Sequence, residues 1–131
     1  MNIYLDINGV LLNQDLTPAI GVTDFLRRAL DGNRVYWLTT HCKGDATPVL
    51  AYLEKILPKD AYELAKQIKP TYWDVLKTDG IDFSEDFMWF DDNLFESEKM
   101  ALKSRNFEGK YVSVDLKKNP SQLETFDFKF A

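Results

Sequence analysis

The chain has one cysteine, Cys42, and one histidine, His41, in 131 residues. A lone cysteine excludes an intrachain disulfide, and the two together fall short of any zinc site of the Cys/His type. No apolar run approaches the roughly 18 residues needed to span a bilayer. Basic residues are outnumbered, 16 Lys and Arg against 21 Asp and Glu, for a net charge of -5. That balance argues against a nucleic-acid or anionic-membrane surface, whose usual footprint is basic, although a local basic patch remains compatible with it. The opening residues, Met1 to Asp6, show neither a basic start nor a long apolar stretch, so the expectation is a soluble cytoplasmic protein. There is no repeat, low-complexity tract or linker.

What is present is apolar: 45% of residues are hydrophobic and 14% aromatic. A chain of this length suits one domain, residues 1–131, with a core that needs no disulfide or metal staple. Short apolar runs alternate with helix-like segments, the pattern of an α/β domain with a parallel sheet. Strands are expected at 3–5, 35–38, 87–90 and 111–114. Thr17 and Pro18 read as a helix start, with Ile20, Phe25, Leu26, Ala29 and Leu30 on its apolar face and residues 31–33 as its end. Thr47 and Pro48 repeat the signal for a helix to about residue 56. A short helix or turn is expected over 59–68 and helices over 73–77, 97–105 and 121–126. Trp37 and Trp89 read as core. The tail with Phe128 and Phe130 reads as core or edge-strand packing, with a homodimer contact as the alternative.

In an open parallel sheet, ligands bind beyond the carboxyl ends of the strands. The residues there are Asp6 and Asn8, then Thr39 and Thr40, then Asp91 and Asp92, with Lys69-Pro70 ahead of the third strand. Crowded carboxylates repel and are costly to desolvate. A magnesium ion removes that cost, because it takes oxygen ligands and retains waters. A phosphate fits beside such an ion, held by a hydroxyl and an ammonium, and Gly9 lets backbone N–H groups turn toward it. A carboxylate in line with phosphorus can act as nucleophile and form an aspartyl-phosphate. Taken singly, each residue also has a plain structural reading: a strand-end aspartate or hydroxyl, a solvated surface lysine, an acidic pair opening a turn.

The ordered set resembles the haloacid dehalogenase superfamily. Residues 3–11, with Asp6, Asn8 and Gly9, look like its first motif, Asp-x-Asp-Gly-Val/Thr. The strand ending at Thr39 looks like the second, Lys69-Pro70 is similar to the lysine motif, and Asp91-Asp92 with Glu96 looks like the acidic fourth. The interval of 23 residues from Lys69 to Asp92 also matches. The resemblance implies a Rossmann-like, mostly parallel sheet flanked by helices and a Mg2+-dependent phosphatase. By position it implies that Asp6 is nucleophile and metal ligand, that residue 8 ligates through its backbone carbonyl, and that Thr39 binds the phosphoryl group. Lys69 would stabilise nucleophile and phosphate, with Lys66 and Lys77 as lesser candidates. Asp92 would be the acidic metal ligand, Asp91 would share that role or orient a water, and Glu96 would support them.

The departure is Asn8, where family phosphatases carry an aspartate that protonates the leaving oxygen and then activates water. An amide cannot exchange that proton, and general acid–base help is worth ~10² to 10⁴ in rate. Four readings stay open: a slow phosphatase, a proton supplied by another group such as Asp15, a phosphate-binding or protein-interaction domain without turnover, or an asparagine introduced to silence the site. Only 33 residues separate Asp6 from Thr39 and 30 separate Thr39 from Lys69, so no large cap is expected. The substrate would be a phosphorylated molecule, small or macromolecular, with nucleic acid disfavoured; Tyr62, Tyr72 and Trp73 are candidates for the entrance. His41 and Cys42 follow the second motif without an assigned role. A receiver-type signalling domain also clusters aspartates and a lysine, but its acidic pair would follow the first strand rather than a late one.

Overall fold

The computed structural model describes residues 1–128. Four strands, β1 (Asn2–Leu5), β2 (Arg34–Trp37), β3 (Phe87–Asp91) and β4 (Tyr111–Ser113), form one sheet in the order β2-β1-β3-β4. Every pairing is parallel. Parallel strands need crossovers, and helices supply them: α1 (Val22–Leu30) between β1 and β2, α2 (Thr47–Glu54) and α3 (Lys59–Ala65) between β2 and β3, and α4 (Glu96–Lys103) between β3 and β4, while α5 (Gln122–Thr125) follows β4. No helix among the described residues is long and apolar enough to cross a membrane.

Because a strand's side chains alternate between faces, the sheet builds two cores. Ile3, Leu5, Met88 and Phe90 face the layer of Phe25, Leu26, Leu53 and Ala61. Tyr4, Phe87 and Trp89 face Leu38, Ile81 and Leu102. Both tryptophans expected in the core, Trp37 and Trp89, are fully buried.

Three local expectations are corrected. The helix after β1 starts at Val22, with Gly21 at its cap position, not at Thr17-Pro18. Asp15 accepts hydrogen bonds from the Thr17 N–H and hydroxyl, and Leu12 pairs with Pro18, so residues 12–18 fold back as a loop. Ile20 consequently lies outside the helix and is exposed. Residues 73–76 are irregular, and a single 3-10 turn follows over Lys77–Gly80. The tail adds no edge strand through residue 128; Phe128 packs on Phe25, Phe90 and Phe126 as core. Phe130 lies outside the described residues.

Candidate functional site

The sheet register itself places two carboxylates side by side. Leu5 of β1 pairs with Phe90 of β3, so the next residues, Asp6 and Asp91, leave adjacent strands at the same level. Asp6 N–H donates to the Phe90 carbonyl at 3.1 Å. Asp92 follows at once, and the chain at Gly9 makes room for it. Gly9 has φ +83°, and a Cβ there would lie 2.2 Å from Asp92 Oδ2. Only glycine takes that conformation freely and permits that approach. Three N–H groups, from Val10, Leu11 and Leu12, converge on the Ile7 carbonyl, and all four side chains are buried, which anchors the loop under the site.

A carboxylate oxygen from each of Asp6, Asp91 and Asp92 falls within 4.8 Å of the others, a donor set that could hold a metal ion. Lys77 Nζ lies 2.7 Å from Asp91 Oδ2 and 3.4 Å from Asp6 Oδ2. Asp91 Oδ1 accepts the N–H groups of Asp92 and Asn93 at 2.8 and 3.3 Å. Burial, reinforced by the Asp91 charge, pushes the Asp6 carboxyl up to about 6. Burial raises Asp91 as well, against the opposing pull of Lys77. Burial disfavours the Lys77 ammonium, but the charges of Asp6 and Asp91 outweigh it and raise its pKa. Two buried carboxylates with one lysine, and a third carboxylate at the edge, leave an excess of negative charge on this rim.

The carboxylates open into a cavity of about 430 Å³ that is also lined by Asn8, Thr39, Thr40, His41, Lys43, Trp73, Val75, Lys77, Phe95 and Glu98. Ligand pockets commonly have this size. Thr39 is fully buried, and its Oγ1 accepts the His41 N–H at 3.3 Å. Asn8 is exposed at the mouth. The Tyr52 hydroxyl donates to Asn8 Oδ1 at 3.0 Å, Asn8 Nδ2 lies 3.4 Å from His41 Nε2, and the His41 and Tyr52 rings stack at 4.6 Å.

Of the residues singled out in the sequence, Asp6, Asn8, Thr39, Asp91 and Asp92 line this cavity and Lys69 does not. Lys69 gives its backbone to the outer side of β2, its N–H to Val35 and its carbonyl to Trp37, and it is exposed there. The chain must still travel from that sheet edge to the β1–β3 junction, and the lysine that arrives is Lys77. Lys66 pairs with Glu63 at the surface. Glu96 is exposed at the start of α4 and does not line the cavity; the acid that does is Glu98, 1% exposed. A glutamate three residues past a helix cap is a known back-hydrogen-bonding position, and Glu98 Oε1 indeed accepts the Phe95 N–H at 3.1 Å. Asp15 lines a second cavity, about 540 Å³, on the other side of Asp92. Its hydrogen bonds from Thr17 hold its pKa below the usual carboxylate range, which disfavours it as a proton donor. Trp73 lines the mouth of the main cavity, whereas Tyr62 bonds to Glu54 and Tyr72 projects into solvent. Comparison with family models, curated proteins and solved structures finds no match.

Proposed function

We propose that this protein is a Mg2+-dependent phosphohydrolase of the haloacid dehalogenase type, acting on a phosphomonoester through an Asp6 aspartyl-phosphate. The observation that carries this reading is the meeting of Asp6, Asp91, Asp92 and Lys77 at the carboxyl end of a parallel sheet. The donors suit a hard dication: all are oxygens, and their charge exceeds what Lys77 offsets. Asp6, Asp92 and Asp91 would hold the ion, which would supply charge neutralisation for an incoming phosphate.

The chain's own groups do the rest. Asp6, held by its strand, attacks phosphorus as the P–O ester bond breaks and the alcohol or phenol leaves; water then attacks the aspartyl-phosphate, releasing phosphate and restoring the carboxylate. The Thr39 hydroxyl and the Lys77 ammonium bind phosphoryl oxygens, and Lys77 takes the role expected of Lys69. Asn8 positions by hydrogen bonding and transfers no proton, so both steps are slow: a leaving group that departs unaided relieves the first, but the water that hydrolyses the aspartyl-phosphate still lacks a base at this position. That same residue favours a second reading, a phosphate-ligand or interaction module without turnover, since its amide is already engaged by Tyr52 and lies against His41.

The test is an aryl phosphate assay with Mg2+ for the native chain, Asp6→Asn and Asn8→Asp. Activity in the native chain that Asp6→Asn removes and Asn8→Asp raises ~10²-fold or more supports the enzyme. Activity confined to Asn8→Asp supports the binding module. Silence in all three, with intact folding and no phosphate binding, refutes both.

A further inference from the structure

We propose that the cavity is built for a phosphomonoester whose carbon body is a flat apolar ring and which bears no second anionic group. This rests on the phosphate-site reading above and extends it to the part of the substrate that Asp6 does not touch.

Among the described residues six large apolar side chains are exposed. Scattered singly, such residues need no explanation. Phe95, 57% exposed, and Val75, 76% exposed, are different: they come from separate segments, after β3 and before the 3-10 turn, yet line the cavity that holds Asp6 and Lys77. Trp73 lines the same cavity, with the Lys43 ammonium 4.4 Å from its ring centre. An apolar wall beside a carboxylate cluster gains only from an apolar occupant, since water and ions are better served by the polar side.

The backbone at Phe95 is also tied to the backbone at Lys77. Glu98 Oε1 accepts the Phe95 N–H at 3.1 Å, and its Oε2 accepts the Lys77 N–H at 3.0 Å. One buried carboxylate thus ties the backbone under the exposed ring to the backbone under the lysine.

Charge narrows the choice further. Two lysines line the cavity. Lys77 is held between Asp6 and Asp91. Lys43 donates to the Asp74 carbonyl at 2.8 Å and sits 4.4 Å from the Trp73 ring centre. Asp74 and Glu98 add negative charge to the same lining. Five carboxylates, Asp6, Asp74, Asp91, Asp92 and Glu98, line the cavity against those two lysines, so a second phosphate or a carboxylate on the substrate would meet an excess of negative charge; nucleotide polyphosphates and nucleic-acid strands are disfavoured and an uncharged ring is favoured.

Inert phosphonates test this without requiring turnover. Methylphosphonate, phenylphosphonate and 4-carboxyphenylphosphonate are titrated into the whole protein with Mg2+ by calorimetry, for the native chain, Phe95→Ala and Val75→Ser. Both substituted side chains are exposed, and circular dichroism checks the folding of each variant. The ring should tighten binding ~10-fold over the methyl group, the gain expected for covering part of one aromatic face. Each substitution should cut that preference at least ~3-fold without changing methylphosphonate, and the added carboxylate should erase the gain. Equal binding of methyl and phenyl compounds, a preference that survives both substitutions, or a carboxylate that binds as well as the plain ring overturns the proposal while leaving the phosphate site standing. Failure of every phosphonate and of inorganic phosphate to bind overturns both.

Discussion

Asp6 carries its negative charge at a cost. Its side chain is 11% exposed, beside Asp91, and its pKa stands at about 6 against an ordinary 3.8. The folded protein therefore holds a proton more tightly than the unfolded chain. Asp6's contribution to stability is full below the ordinary value and is lost as pH rises through about 6. In metal-free protein, Asp6→Asn should raise stability at pH 7.5 by up to ~3 kcal/mol and change it little at pH 4, as read by urea unfolding at both pH values. Lys77 is the counterpart. Lys77→Met strands two buried carboxylates and should cost ~3 kcal/mol at pH 7.5, less at pH 5, and abolish phosphate binding. Lys69→Ala, at an exposed site on the sheet edge, should stay within ~0.5 kcal/mol and leave binding unchanged. The aspartates were legible in the sequence because each directly follows an apolar run, and the chain end of a strand is fixed by the strand. The lysine was not, because it sits in an irregular segment whose path no periodicity records, and a lysine-proline pair nearby matched the motif by spacing alone.

The elements that hold the site differ in how firmly sequence pattern specifies them. The central strands β1 and β3 were readable because both their faces are buried and their runs are nearly all apolar. The segment between β1 and α1 was not: Thr17-Pro18 carries a sound helix-start signal, but the Asp15 hydrogen bonds and the Leu12–Pro18 pairing give those backbone groups other partners. That loop begins at Gly9, where the structure is least tolerant. Gly9→Ala combines a positive φ with a Cβ 2.2 Å from Asp92 Oδ2. Because Asp92 is exposed and can swing aside, the loss of fold stability should be modest, about 1 to 2 kcal/mol. Mg2+ affinity should fall at least ~10-fold, because a donor is displaced from the set. Calorimetry of Mg2+ binding beside thermal unfolding separates the two effects.

At the scale of the molecule, the sheet order decides the chemistry. With β1 flanked by β2 and β3, the ends of three strands far apart in sequence deliver Asp6, Thr39, Asp91 and Asp92 to one rim. The fold class was legible from the alternation of runs and helices; the order of strands was not, since any sequence of crossovers satisfies that alternation. The most direct test is a crystal structure of the protein grown with Mg2+ and beryllium fluoride, a mimic of a phosphoryl group on a carboxylate. The account predicts the fluoride adduct on Asp6, with Thr39 and Lys77 as its neighbours and the metal ion against Asp92. An adduct on another carboxylate, or a metal ion bound away from Asp6, Asp91 and Asp92, contradicts it.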